Sequence, residues 1–423
     1  MLIQFSVKNF MSFKEKVIFS MEAGKENEHN ENVVNLLNEK ILKTAALYGA
    51  NASGKTNLVN AFTAAILMIR KSNTRQLGEK LVEMVPFAFD NQTKNKPCEF
   101  EFIFITNGTK YIYGFSADRD KVYEEYLYQY LTAKPTRIFE RTNVNEYKFL
   151  QSDESKLNTL KTQNTENKLF LSTATTWNYE KTQNAFLWFA KLIDTFTGGL
   201  SLNQYSVDAF SNDKTEELKK FTLKLLKQAD IEIKDYSIEV KETETEPANV
   251  MLVFNGENIK PISQKRTDIK IKTVHEIKDE KGKTKKYELN YVNESLGTQI
   301  IFSFAPILKD VFEKGKVIIV DELERSLHHS LVEMIIKFFN DPEINIGNAQ
   351  LIFNTHDTNL LSLSLFRRDQ IWFAEKNSEK GTTDLYPLDD FSVRKTENIQ
   401  KGYLNGRYGA IPFVAIGSGL WED

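Results

Sequence analysis

Cysteine is almost absent: Cys98 is the only one in 423 residues, which excludes an intrachain disulfide and fits a reducing cytoplasm, the expected location. No apolar run approaches the length of a membrane span, so no membrane association is expected. Met1-Leu2-Ile3-Gln4-Phe5 has neither a basic region nor a cleavage site, so no signal peptide is expected. Histidine is scarce, and no Cys/His cluster has the spacing of a zinc site. An excess of positive charge is also missing. The net charge of −3 gives no overall basic field for nucleic acid, so such binding would need a local patch. There is no internal repeat, no long low-complexity tract and no sustained heptad pattern for a long coiled-coil arm. What remains is ordinary soluble globular composition, 41% hydrophobic and 27% charged, in a chain long enough for two lobes.

The most informative stretch is Gly49-Ala50-Asn51-Ala52-Ser53-Gly54-Lys55-Thr56, a G-x-x-x-x-G-K-T pattern followed by Asn57. Before it, Ile41 to Tyr48 reads as a buried strand. After it, Leu58, Ala61, Phe62, Ala65, Ile66 and Ile69 recur at helical spacing. Strand, glycine loop and helix together form the setting of a phosphate-binding loop. Its backbone N–H groups and the helix N-terminus face the phosphates of a nucleotide, with ATP the expected ligand. Lys55 is placed to reach the β- and γ-phosphates, and Thr56 to offer its hydroxyl to Mg²⁺.

Along the rest of the chain, Met1 to Met21 alternates as an edge hairpin, and Gly24 to Asn38 reads as a polar, mobile loop. Residues from Pro86 to about Leu150 form an antiparallel meander. Helical spacing returns at Asn184 to Phe196 and Thr215 to Ala229, either as packing faces or as a short arm. Ile231 to Val292 alternates again and holds the most basic stretch, Lys260, Lys265, Arg266, Lys270, Lys272, Lys278, Lys281, Lys283, Lys285 and Lys286, around a turn at Glu280 to Lys283. Acidic neighbours dilute it, so a solvated hairpin and a nucleic-acid or partner contact both stay open. The domain boundaries expected are 1–150, 151–292 and 293–423.

Val317-Ile318-Ile319-Val320 is β-branched throughout and ends in Asp321-Glu322, the composition of a buried parallel strand with ligand groups at its carboxyl end. Asp321 is expected to hold Mg²⁺ through water, and Glu322 to polarise the water that attacks the γ-phosphate. A second apolar strand, Gln350 to Asn354, leads to Thr355-His356. His356 can sense the γ-phosphate or serve as a structural histidine. Ser295-Leu296-Gly297-Thr298 opens a further helix, where Ser295 and Gly297 form either a second anion site or a helix cap.

The set resembles the ABC-type ATPases of the SMC, RecF and OLD kind. The resemblance rests on Asn9-Phe10-Met11-Ser12-Phe13, the phosphate loop, the Ser295 to Thr298 signature, Asp321-Glu322, the Glu324 to His328 D-loop and Thr355-His356. It covers both ends of the chain, roughly half of it. The short middle and the ending Gly402 to Pro412 are similar to small phage-defence ATPases of the RloA or AbiL type, with relatives in PARIS and Septu systems. The resemblance implies an α/β fold: a P-loop ABC-type ATPase head with a mixed sheet flanked by helices and an inserted α+β middle region. It implies ATP hydrolysis with Mg²⁺ in a homodimer or higher oligomer, each ATP lying between Lys55 of one subunit and Ser295 with Gly297 of another. It also implies an operon-encoded effector of TOPRIM or HNH nuclease type. Asp384, Asp389 and Asp390 form no nuclease constellation within this chain. The signature lacks a double glycine, the D-loop ends in His328 rather than Asp, and no Q-loop glutamine is placed. The alternative is a RecF-like DNA-repair ATPase whose basic hairpin contacts duplex.

Overall fold

The computed structural model describes residues 1–198, 202, 204–245, 253–254, 257–258 and 264–411. Contacts divide the chain into two compact units, Met1–Gly199 with Val311–Asp423, and Leu200–Asp310.

In the first unit the strand Val317–Val320 is buried along its whole length, as its composition requires. It pairs in parallel with Ile193–Phe196 on one side and Gln350–Asn354 on the other. Gln350–Asn354 pairs in parallel with Thr44–Tyr48, which pairs in parallel with Ile371–Lys376, and Thr383–Pro387 closes the edge antiparallel. One strand therefore separates the glycine loop from the acidic pair. Because the five parallel strands share a direction, the segments after Tyr48, Val320, Asn354 and Lys376 all emerge at the same edge, where ligands of open α/β sheets bind.

A second, seven-stranded sheet is antiparallel throughout. The expected meander supplies Cys98–Thr106, Thr109–Ala117, Val122–Tyr130, Thr136–Thr142 and Glu146–Phe149. The opening strands Leu2–Lys8 and Val17–Ser20 extend it at the Cys98–Thr106 side. The helix Lys55–Lys71 shares one apolar core with both sheets. Phe62 stacks on Phe5 with ring centroids 3.9 Å apart, and the same cluster takes in Phe102, Ile319 and Ile352. Gln350 joins the sheets by hydrogen bonds: its side-chain oxygen accepts from Leu2 N at 2.6 Å, and its amide donates to the carbonyls of Leu2 and Leu42. The α/β class with a mixed sheet flanked by helices is as expected.

Several boundaries differ from the sequence reading. The run Ile41 to Tyr48 is two strands: Glu39–Leu42 pairs back on Val33–Leu36, and Thr44–Tyr48 begins after buried Lys43, whose ammonium donates to Asn340 O at 3.1 Å. The segment 24–38 is not a free loop, because the guanidinium of Arg367 donates to the carbonyls of Glu26, Glu28 and Gly24 at 2.9, 2.7 and 3.3 Å. The helix expected over 184–196 runs Glu180–Lys191, and Ile193–Phe196 is a strand because it completes the parallel sheet. The second helix spans Glu217–Gln228.

The expected domain boundaries move for a packing reason. Residues 151–198 belong to the first unit. Leu157, Leu160, Phe170, Trp188 and Phe189 fill the core of the antiparallel sheet, with Trp188 stacked 4.2 Å from Phe104. The boundary expected at 293 falls instead at 310, inside the helix Leu296–Lys314.

The second unit holds a three-stranded antiparallel sheet, Asp235–Thr245, Gln264–Lys278 and Thr284–Asn290, with the helices Gln204–Ser211 and Glu217–Gln228. Phe210 and Tyr236 pack on Phe302 at centroid distances of 4.8 and 4.9 Å. The expected basic turn is present, with Gly282 at φ 73° and Asp279 N donating to Lys283 O at 3.0 Å. Lys260, the side chains of Lys265 and Arg266, and Pro412 lie outside the described residues.

Candidate nucleotide site

From the end of Thr44–Tyr48 the chain turns through Gly49 to Gly54 into the helix Lys55–Lys71. Two glycines are needed for space. A Cβ on Gly49 would lie 2.4 Å from Ala374 O, and one on Gly54 would lie 2.4 Å from Thr383 Oγ1. Gly54 also has φ 109°, a conformation that penalises any side chain. Ala52 is left-handed at φ 62°, a strain of about 1–3 kcal/mol of the kind that collects at binding sites.

The loop is braced from both ends of the chain. Asn57 Nδ2 donates to Ser12 Oγ at 2.7 Å, and Thr383 Oγ1 lies 2.8 Å from both Ser12 Oγ and Ser53 O. Ser12 belongs to the Asn9 to Phe13 motif, a tight turn closed by Phe10 and Phe13. Buried Asn9 anchors that turn by donating to Thr93 O and Lys96 O at 2.9 Å.

Lys55 is buried and donates to Gly49 O at 2.7 Å and Ala50 O at 3.0 Å. Burial lowers its pKa to about 8, against the opposing pull of Glu324, Glu322 and Asp321. Thr56 Oγ1 donates to Asp321 Oδ1 at 3.1 Å. Asn354 clamps the acidic pair, its amide donating to Asp321 Oδ1 while its oxygen accepts from Glu322 N at 2.5 Å. Glu322 is left-handed at φ 52°, and its side chain is exposed. The exposed His356 is tied through its backbone, its N–H donating to Glu324 Oε1 at 2.6 Å.

These groups line one cleft of about 470 Å³, formed by Asn51 to Asn57 with Glu322, Asn354, His356 and Lys376. Sequence reasoning missed Asn354 and Lys376. Asn354 was visible as a strand end, whereas Lys376 is placed only by the pairing of Phe373 with Tyr48. Gly49 and Asp321 do not line the cleft but are bonded to residues that do, Gly49 as the acceptor of Lys55 and Asp321 as the partner of Thr56. The residues fit a magnesium–triphosphate group. The glycines permit close approach, Lys55 supplies a cation, the Thr56–Asp321 pair supplies two oxygens, and buried Ser53 Oγ has no partner among the described residues.

Ser295 and Gly297 lie in the second unit. Ser295 Oγ accepts from Thr298 N at 3.1 Å, the helix-cap geometry. His328 is also a cap, with Nδ1 accepting from Ser330 N at 3.3 Å. In the basic hairpin, Lys272, Lys285 and Lys286 are ion-paired with Glu288, Asp279 and Glu276, which favours the solvated reading. Among the described residues no helix is long and apolar enough to cross a membrane, and no group of His, Cys, Asp and Glu could hold a metal ion on its own.

Residues 45–362 match the family described as "AAA domain, putative AbiEii toxin, Type IV TA system". No curated protein matches. Among solved structures, the chain is similar to an SMC head bound to the C-winged helix domain of ScpA, with 13% identity, a TM-score of 0.37, and 91% of this chain and 97% of that one covered. It is also similar to the SMC head with an extended coiled coil bound to the C-terminal domain of ScpA from Pyrococcus furiosus, with 11% identity, a TM-score of 0.41, and 91% and 96% covered. Likeness at that level assigns no function. The family match spans the phosphate loop, the acidic strand and His356, and by it the chain belongs to this AAA-domain family, within the ATPase superfamily its motifs resemble.

Proposed function

We propose that the chain binds ATP with Mg²⁺, hydrolyses it, and uses the bound triphosphate to hold two heads together as a sensor or scaffold in anti-phage defence, with a separate effector protein. The observation that carries the reading is the 3.1 Å contact between Thr56 of the glycine loop and Asp321 of the acidic strand, inside a cleft that also takes Lys55, Glu322 and His356. Mg²⁺, when bound, neutralises charge on the β- and γ-phosphates. Thr56 and Asp321 would hold it, with Asn354 fixing the carboxylate. The loop from Gly49 to Thr56 binds the phosphates through its amides, and Lys55 exchanges two carbonyl acceptors for them. Glu322 reaches into the cleft from its left-handed backbone, where it can orient a water and take its proton. His356, which lines the same cleft, would donate to the terminal phosphate.

Dimerisation rests on the motif resemblance, with Ser295 and Gly297 closing the site of another subunit. Loss of the γ-phosphate then loosens the interface, a population shift driven by differential binding. The defence role draws support from the family description, which names a toxin of a Type IV system.

The test measures nucleotide binding, turnover and mass together. Lys55→Ala is expected to lose nucleotide binding. Glu322→Gln is expected to keep it, to hydrolyse about 10²- to 10⁴-fold more slowly, and to accumulate as an ATP-bound dimer. An ATP complex that stays monomeric removes the dimer mechanism, and wild-type turnover in Glu322→Gln removes the base assignment.

A further inference from the structure

Beyond the acidic pair the chain makes a tight turn. Arg325 N donates to Glu322 O at 2.9 Å, Leu327 N to Glu324 O at 2.8 Å, and Ser326 is left-handed at φ 62°. The turn gives its two glutamates different surroundings. Glu322 stands exposed in the cleft, Leu323 is buried, and Glu324 is half-buried. The two oxygens of Glu324 have different surroundings. Oε1 accepts from His356 N at 2.6 Å, a charge-assisted bond across 32 residues. Oε2 is enclosed and has no partner among the described residues.

A second enclosed polar atom without a partner is Tyr48 Oη, at the end of the strand that leads into Gly49. Burial raises the Tyr48 pKa, with Asp357 and Glu324 adding to the rise. Glu324 therefore holds the His356 loop from one oxygen and keeps the other enclosed without a donor among the described residues. A buried carboxylate oxygen left unpaired costs about 1–3 kcal/mol or more, so its retention calls for a role.

We propose that Glu324 is a positioning residue for the hydrolysis step, holding the His356 loop by its backbone. The inference rests on the nucleotide reading above. Its action runs through His356 and not through contact with the reacting atoms. Binding of the phosphates draws on the loop amides and Lys55, which stay in place without Glu324. Turnover depends on where His356 stands, and misplacement by about 1 Å can cost about 100-fold in rate.

The experiment compares the wild type with Glu324→Ala, Glu324→Gln and Glu324→Asp, reading ATP affinity, kcat, KM and hydrogen exchange at the His356 amide. Glu324→Gln keeps an acceptor of the same reach. Its exchange is expected to match the wild type and its kcat to stay within about tenfold. Glu324→Asp keeps the charge but withdraws the acceptor by one methylene. Both it and Glu324→Ala are expected to exchange at least about tenfold faster at His356 and to lose about 100-fold in kcat, with ATP affinity within about threefold. A mere loop staple would lower stability and leave kcat in place. If Glu324→Ala fails to fold, the Gln and Asp variants decide between the outcomes. Wild-type kcat or unchanged His356 exchange in Glu324→Asp overturns this inference alone. A wild-type protein inert towards ATP overturns the nucleotide reading and this inference with it.

Discussion

Thr56 and Asp321, 265 positions apart in sequence, meet with Oγ1 and Oδ1 at 3.1 Å, and the Asn354 amide donates to the same carboxylate oxygen. Two side chains proposed to share one Mg²⁺ should not behave independently. Thr56→Ala and Asp321→Asn are each expected to raise the magnesium concentration needed for half-maximal nucleotide binding. The double variant should be little worse than the poorer single one, with a coupling of about 0.5–3 kcal/mol. Binding titrations over magnesium give the cycle, and strict additivity would show that the two residues serve different ligands.

Gly54 is constrained twice, by its φ of 109° and by Thr383 Oγ1 at 2.4 Å from where a Cβ would stand. Gly54→Ala should therefore lower stability by about 1–3 kcal/mol and weaken nucleotide binding. Adding Thr383→Ala removes the collision but leaves the backbone strain, so only part of the stability should return. Thermal unfolding of the three proteins separates the two contributions.

Glu125 tests the scaffold rather than the site. It is fully enclosed, accepts from Phe170 N at 2.5 Å, Leu171 N at 2.9 Å and Tyr113 Oη at 3.0 Å, and stands 3.9 Å from Arg141. Burial pushes its carboxyl pKa up, while Arg141 and these donors oppose the shift. Glu125→Ala strands a buried guanidinium and two amides, and a loss of about 3–5 kcal/mol is expected. Glu125→Gln keeps an acceptor and should lose less. Denaturant unfolding with an unchanged slope is the measurement.

The legible parts of this molecule were those whose cause is local. Gly49 to Thr56 carries its own glycines, cation and hydroxyl in one short run, and Val317 to Val320 announces burial on both faces by composition alone. The groups that escaped are made by pairing distant segments. Thr383 braces Ser53 from 330 positions away, and Arg367 holds the carbonyls of Glu26 and Glu28 from more than 300. Neither contact leaves a periodicity to read. Ile193–Phe196 shows the same limit in secondary structure. Its residues continue a helical pattern, and only the neighbouring Val317–Val320 makes them a strand. The compact units do not divide at the expected 151, because Trp188 and Phe189, which read as the face of any packed helix, have their partners Phe102 and Phe104 in the meander.

Lys55 links the site to pH. Burial lowers its pKa to about 8 in the ligand-free protein, with Glu324, Glu322 and Asp321 pulling the other way. A triphosphate beside the ammonium favours the charged form, so the pKa rises in the complex. Below about pH 8 Lys55 is already protonated and binding takes up no proton at this group. Above that value the free protein carries neutral Lys55, and each binding event must draw a proton from solution. Nucleotide affinity is therefore expected to fall as pH rises beyond about 8, by up to about tenfold per unit until the pKa of the complex is reached. Calorimetric titrations at pH 7 and pH 9 in buffers of different ionisation enthalpy check this directly. A buffer-dependent heat corresponding to proton uptake should appear at pH 9 and be nearly absent at pH 7. Lys55→Arg, charged throughout, should abolish the difference in uptake even where its longer side chain weakens binding. Equal buffer dependence at both pH values would mean that Lys55 is charged before the nucleotide arrives.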